Sequence, residues 1–271
     1  TGGITLSTGN VTGGSGLTTL SASGVLALAS QNVSGTGVSL SGAGVTQTGG
    51  TVNSGTGTLS INGNANAVTL AGTLTTANTS PLAVLITGAT TLQTGQIDAT
   101  GGGGTVTLNH SGAGTQAAGK TITGAGVVLD KQGAGIFTVT EINTYGPTLI
   151  TGGTLQVSGT GVAGTQTITI NPGMTLDIVN GANVGNTVTN SGGTVDNTFL
   201  AGTLSGTMNL AVTSNLSSNG GTGLTVSGAI NGGFGINKIN AGTVTLTGAN
   251  GYTGATAVNA GTLELSGAGQ V

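Results

Sequence analysis

The chain has 271 residues, and only nine carry charge: three Lys, no Arg, four Asp and two Glu. An ordinary soluble domain is about a quarter charged, and a formal charge of −3 without a single Arg offers nucleic acid no basic footprint. There is no Cys, which excludes a disulfide framework and a thiolate metal site, and no apolar run approaches the ~18 residues of a membrane helix.

Gly accounts for 57 residues, about three times its usual share, but no strict G-X-Y period accompanies it and Pro is scarce, so the chain is not collagenous. Disorder is the competing reading for a Gly/Ser/Thr-rich sequence. Against it stand a mean hydropathy of +0.31 and Val, Leu and Ile in alternation with polar residues, the pattern of a pleated strand.

In chain order, a first strand is predicted over Thr1–Leu6, and a Gly-Thr phrase with alternating apolar residues then recurs to the end. Full versions are GTLSI from Gly57, GTVTL from Gly104, GTLQV from Gly153, GTVTL from Gly242 and GTLEL from Gly261; looser ones start at Gly50, Gly72, Gly193 and Gly202. Turns are expected between them, including Asn-Gly at Asn62, Asn180, Asn219, Asn231 and Asn250, where the chain can adopt positive φ. Helical spacing never intervenes, and the core has only aliphatic side chains, three Phe and two Tyr to fill it. Short stacked coils fit that supply better than a closed globule. The prediction is one continuous all-β solenoid over 1–271. Coils of roughly 20 residues, about 13 of them, would make a rod about 60–65 Å long. Stacking also accounts for the missing charge, because ladders of like charges ~4.8 Å apart repel while Thr, Asn and Val ladders reinforce one another. A chain that opens on Thr1 with no signal peptide is expected to be a processed product or part of something longer.

Two segments carry a more specific signal. KQGAGIFTVTEINTYGPTLITGGTLQVSG (131–159) aligns with KINAGTVTLTGANGYTGATAVNAGTLELSG (238–267), pairing Lys131 with Lys238, Gly135 with Gly242, Val139 with Leu246, Tyr145 with Tyr252 and, after one extra residue, Gly153 with Gly261. Both resemble the autotransporter-associated β-strand repeat, K-x-G-x-G-T-L-T-L-x-G-x-N-x-Y-x-G-x-T-x-V-x-x-G-T-L. The second copy follows the pattern nearly throughout; the first departs at Ile136-Phe137 and at Gly146-Pro147. The rest of the chain resembles, more loosely, the passenger regions of filamentous-haemagglutinin-like adhesins. The resemblance implies a right-handed parallel β-helix exported through the outer membrane of a Gram-negative bacterium, and no catalytic residues.

Each chemically suggestive residue also has an ordinary reading. His110, the only histidine, could join Ser111 and Asp98 or Asp130 in a hydrolytic relay; a turn histidine on a solvated face is expected instead. Asp177 and Asp196 are 19 residues apart, about one coil, and form the best acid pair; solvated acids on a turn edge are expected. Gly101–Gly104 lacks the Gly-Lys-Ser/Thr of a phosphate loop and is expected to be a wide turn. The sequons at Asn10, Asn32, Asn78, Asn109 and Asn215 are attributed to composition. Tyr145 and Tyr252 are read as coil-corner residues rather than sugar-stacking platforms. TxT phrases at 105–107, 121–123, 167–169, 187–189 and 243–245 raise ice binding, against which their spacing is expected not to be one coil period. No catalytic, cofactor or metal residue is assigned. The functional expectation is a non-enzymatic structural rod of a surface fibre or adhesin, polymerising or part of a longer chain. Alternatives are a module for surface glycans, an ice-binding solenoid and a polysaccharide-active β-helix enzyme.

Overall fold

The computed structural model describes residues 2–219 and 223–271. Thr1 of the predicted first strand and Gly220 of the Asn219-Gly220 turn lie outside the described residues. Among the described residues all regular structure is β, and every strand pairing is parallel. Each Gly-Thr phrase lies on a strand: Leu59–Asn62, Thr105–His110, Thr154–Ser158, Thr243–Leu246 and Thr262–Leu265. The first strand is Ile4–Thr5.

The chain divides into two compact units, Thr1–Phe137 with Asn143–Pro147, and Thr138–Ile142 with Thr148–Val271. In the first unit, sheet A runs through Leu26–Ala27, Val45–Gln47, Val68–Leu70 and Thr91–Thr94. Sheet B runs through Val33–Ser34, Thr51–Asn53, Thr73–Thr75, Gln96–Asp98 and Ile122–Gly124, and sheet C through Val38–Ser41, Leu59–Asn62, Val84–Gly88, Thr105–His110 and Val128–Gln132. In the second unit, sheet D contains Thr154–Ser158, Thr175–Val179, Thr194–Asp196, Ser214–Ser217, Ile236–Ile239 and Thr256–Val258. Sheet E contains Asn183–Val184, Gly202–Leu204, Leu224–Val226, Thr243–Leu246 and Thr262–Leu265, and sheet F contains Thr148–Ile150, Ile168–Ile170, Val188–Asn190, Met208–Leu210 and Ile230–Asn231.

Each unit is thus a three-faced parallel β-solenoid in which a strand pairs with the strand one coil away. Coil length varies, as the irregular phrase spacing requires. In the first unit it ranges from 19 residues (Leu26 opposite Val45) to 25 (Ile97 opposite Ile122). In the second it ranges from 19 (Thr175 opposite Thr194) to 22 (Met208 opposite Ile230).

Register stacks like on like. Val38, Leu59, Val84, Val106 and Leu129 form one buried column of the first unit, and Ile168, Val188, Met208 and Ile230 one of the second. Each such side chain contributes about 1.5–3 kcal/mol by leaving water, and period-two alternation keeps the set on one face. Outward residues hydrogen-bond along the stack in place of charge pairs. Ser41 Oγ donates to Ser21 Oγ at 3.0 Å and Asn237 Nδ2 to Asn215 Oδ1 at 3.3 Å.

Two further features set the corners. Gly206, Gly228 and Gly248 form a column in the second unit: a Cβ on Gly228 would run into the carbonyl of Gly206, and one on Gly248 into that of Gly228. Glycine is needed here for close approach between coils. At three of the Asn-Gly turns the glycine N–H reaches an adjacent coil: Gly63 donates to Thr87 O at 2.9 Å, Gly181 to Ala201 O at 2.7 Å and Gly251 to Ile230 O at 2.8 Å.

Candidate functional site

The most ordered chemistry in the molecule surrounds the two aligned lysines. Lys131 follows Leu129 and Lys238 follows Ile236 at the inward parity of an alternating strand, so both side chains enter the interior and both residues are 0 % exposed. Their stems extend aliphatic columns: Lys131 stands opposite Leu108, and Lys238 between Leu216 and Val258. The ammonium groups reach the turn that follows. Lys131 Nζ donates to the carbonyls of Gln132 at 2.7 Å and Gly133 at 3.0 Å. Lys238 Nζ donates to Ile239 O at 2.7 Å, Asn240 O at 2.6 Å and, from the next coil, Ala260 O at 3.0 Å.

The sequence explains the geometry. The residue two after each lysine is left-handed, Gly133 at φ 71° and Asn240 at φ 64°, which turns two successive carbonyls back on the ammonium. Gly and Asn are the residues that accept this conformation most readily. Burial pulls Lys131 down to about 8, opposed by the charge of Asp130. Lys238 is lowered by burial and supported by Asp196. Sequence reasoning aligned the lysines without giving them a role. The signal was Lys-x-Gly/Asn, with the lysine at inward parity.

His110 corrects an expectation. It ends strand Thr105–His110 and is 1 % exposed, rather than sitting on a solvated turn. Glycines make the room: a Cβ on Gly114 would lie 2.8 Å from His110 Cε1, and one on Gly135 2.7 Å from its Nδ1. The ring meets Phe137 edge-on, with centroids 5.9 Å apart. Nδ1 lies 3.0 Å from the carbonyl of Gly112, so the neutral ring carries its proton there. The hydroxyl of Ser111 donates to Ala89 O, Asp98 accepts from Thr100, and Asp130 accepts from Gln132. None of these hydrogen bonds joins two members of the relay considered above.

Burial, and then the charge of Lys131, lower His110 to about 4. Between the ordinary histidine value and about 4 the unfolded chain binds a proton that the folded chain does not, so stability is full above that window and falls on acidification through it. Going from about pH 7 to about pH 5 is expected to cost about 2 kcal/mol through this residue. Urea unfolding at the two pH values should show that much less loss for His110→Gln than for the parent. Equal losses would mean the imidazole is hydrated in the folded chain.

Asp177 and Asp196 are register partners on sheet D, so stacking does bring them together. They are not solvated acids on a turn edge. Asp177 is 2 % exposed and accepts from Gln156 Nε2 at 2.8 Å, Thr198 N at 3.0 Å and Thr198 Oγ1 at 2.6 Å. Gln156 in turn accepts from Thr138 Oγ1 at 3.0 Å, making a polar ladder across coils. Burial raises Asp196; the Ser217 hydroxyl opposes that rise, and the neighbouring Asp177 carboxylate adds to it.

Tyr145 and Tyr252 are buried, and the Tyr252 hydroxyl lies 2.6 Å from Thr256 Oγ1. Neither ring face is open for a sugar to stack on. Gly101–Gly104 leads into strand Thr105–His110, with Gly102 N donating to Ala99 O at 3.0 Å. Of the TxT phrases, 105–107 and 121–123 lie on sheets C and B of the first unit and 243–245 on sheet E of the second, while 167–169 and 187–189 are one coil apart, with Thr169 opposite Thr189 on sheet F. That one-coil spacing corrects the expectation for this pair.

A family model described as the passenger-associated-transport-repeat matches residues 129–157 and 236–265. Each match begins two residues before its buried lysine. No curated protein and no solved structure matches the chain. The repeat family implies a secreted or surface location in Gram-negative bacteria. With its lysines clasping the coil turns of a parallel β-solenoid at both matched places, the chain carries two autotransporter passenger repeats.

Proposed function

We propose that the chain is a structural segment of a surface-displayed fibre or adhesin, working as a scaffold outside the cell rather than as a catalyst. The observation that supports this is the stacking in each unit, where every coil is tied to the next by parallel ladders, aliphatic columns and neutral polar ladders, together with two passenger repeats. Nearest-neighbour stacking of this kind extends by adding coils, without a new core having to be designed. Further coils or a second copy would be accommodated in the same way.

Antibodies raised against the purified chain are expected to label intact cells of the source bacterium. Labelling only after lysis would overturn the scaffold assignment.

A further inference from the structure

Sheet E of the second unit has a break on its N-terminal side. Thr203 N donates to Ala182 O at 2.9 Å and Ser205 N to Val184 O at 2.9 Å, so Val184 directs its backbone groups toward the following coil. In a parallel ladder the flanking residues then direct theirs the other way. On that side lies 161–165, which does not pair with them; Val162 N donates instead to Glu141 O at 3.0 Å, and Val162 bridges Ile142. Among the described residues, no acceptor meets the N–H of Asn183 or of Gly185.

Between the two segments is an open groove of about 310 Å³ lined by 161–165 and 183–186. Its walls are low because Gly161, Ala163, Gly164 and Gly185 line it. Gly185 has no packing reason to be glycine: a Cβ there would meet only Ser205 Oγ, at 3.7 Å, and its φ is not in the left-handed region. One end is braced by Asn186, whose Nδ2 donates to Gly164 O at 3.1 Å and Gln166 O at 2.7 Å. The opening is thereby held at a fixed width before any ligand arrives.

We propose that this groove binds a neutral saccharide of one or two rings. No ionisable side chain lines it, so charge selects neither anion nor cation. The groups left for a ligand are the backbone N–H and C=O of Asn183 and Gly185, the Asn183 side-chain amide and the Asn186 side-chain oxygen. Sugar hydroxyls both donate and accept and so match a mixed set of this kind. The volume is at the small end for ligand sites. A peptide strand would meet only two N–H groups, fewer than strand addition ordinarily uses. Without an aromatic platform in the lining, the affinity is millimolar. The site does not depend on the scaffold role, which stands or falls on the cell labelling above.

The test is a ¹⁵N-NMR titration of the whole chain with glucose, galactose, N-acetylglucosamine and maltose, and in parallel with glucuronate and an extended Ser/Thr peptide. At least one neutral sugar is expected to shift the Asn183 and Gly185 amides saturably. Gly185→Val, which should unfold at the parent's urea midpoint, is expected to weaken that binding at least about tenfold. Three results would each overturn the proposal: no saturable shift with any of the four sugars, shifts that persist unchanged in Gly185→Val, or saturation by glucuronate or the peptide alone.

Discussion

Lys238→Met is expected to destabilise the chain by about 2–4 kcal/mol, mostly by opening its last coils. Methionine keeps a long apolar stem, so the column Leu216–Lys238–Val258 stays filled. What is lost is the charged donor shared by the carbonyls of Ile239, Asn240 and Ala260. A hydrogen bond to a charged group is worth about 1.5–3 kcal/mol, and a buried acceptor left unpaired costs more than the average bond contributes. Removing a desolvated ammonium returns part of this, which is why the expected loss is smaller than three such bonds would give. Lys131→Met should act in the same direction, since Gln132 and Gly133 lose the same kind of donor. The control is Lys120→Met, a half-buried site outside both repeats, expected within about 0.5 kcal/mol of the parent. Urea unfolding measures all three, with hydrogen exchange over 236–261 for Lys238→Met and over 129–135 for Lys131→Met. Unchanged midpoints and unchanged protection in both variants would show that water, not lysine, satisfies the turn carbonyls. A second consequence carries its own sign. Lys238 helps to hold Asp196 ionised against burial, so the Asp196 carboxyl should titrate higher in Lys238→Met.

Gly228→Ala is expected to cost about 3 kcal/mol or more, although it adds a single methyl group. The methyl would enter space held by the Gly206 carbonyl one coil away. Relief requires the coils to separate at that corner, and Leu224–Val226 pairs with coils on both sides. Gly233→Ala is the matched control. That glycine is exposed, lacks a left-handed φ, and a Cβ on it would meet no atom within 4 Å. Its expected change is between zero and a slight gain, because alanine restricts the unfolded chain. Thermal unfolding followed by circular dichroism separates the two, and similar midpoints would mean the column can splay without loss.

The parts of the fold that were legible in sequence are those decided within one strand. Alternation placed Leu59 and Ile61 inward and Ser60 outward whatever the neighbouring coil contained, and Gly-Thr marked where strands begin. Irregular phrase spacing likewise anticipated coils of unequal length. His110 was misjudged because its pocket is made by glycines that come later in the chain, Gly114 and Gly135, and are brought to it only by the register. Asp177 was misjudged for the same kind of reason: Gln156 and Thr198 come from neighbouring coils. The lysine clasp is different, since Gln132, Gly133, Ile239 and Asn240 are local. It is hard to read because a lysine in a strand ordinarily faces water, and only the inward parity at Leu129–Lys131 and Ile236–Lys238 speaks against that.

The turns that join the coils also bear on how the chain ages. An Asn-Gly peptide deamidates when the glycine nitrogen attacks the asparagine side-chain carbonyl to close a succinimide, a step that needs a free and mobile N–H. At Gly63, Gly181 and Gly251 that N–H is already donated to the backbone of an adjacent coil. Ring closure therefore has to wait for a local opening of the stack, and Asn62, Asn180 and Asn250 should persist for as long as their coils stay closed.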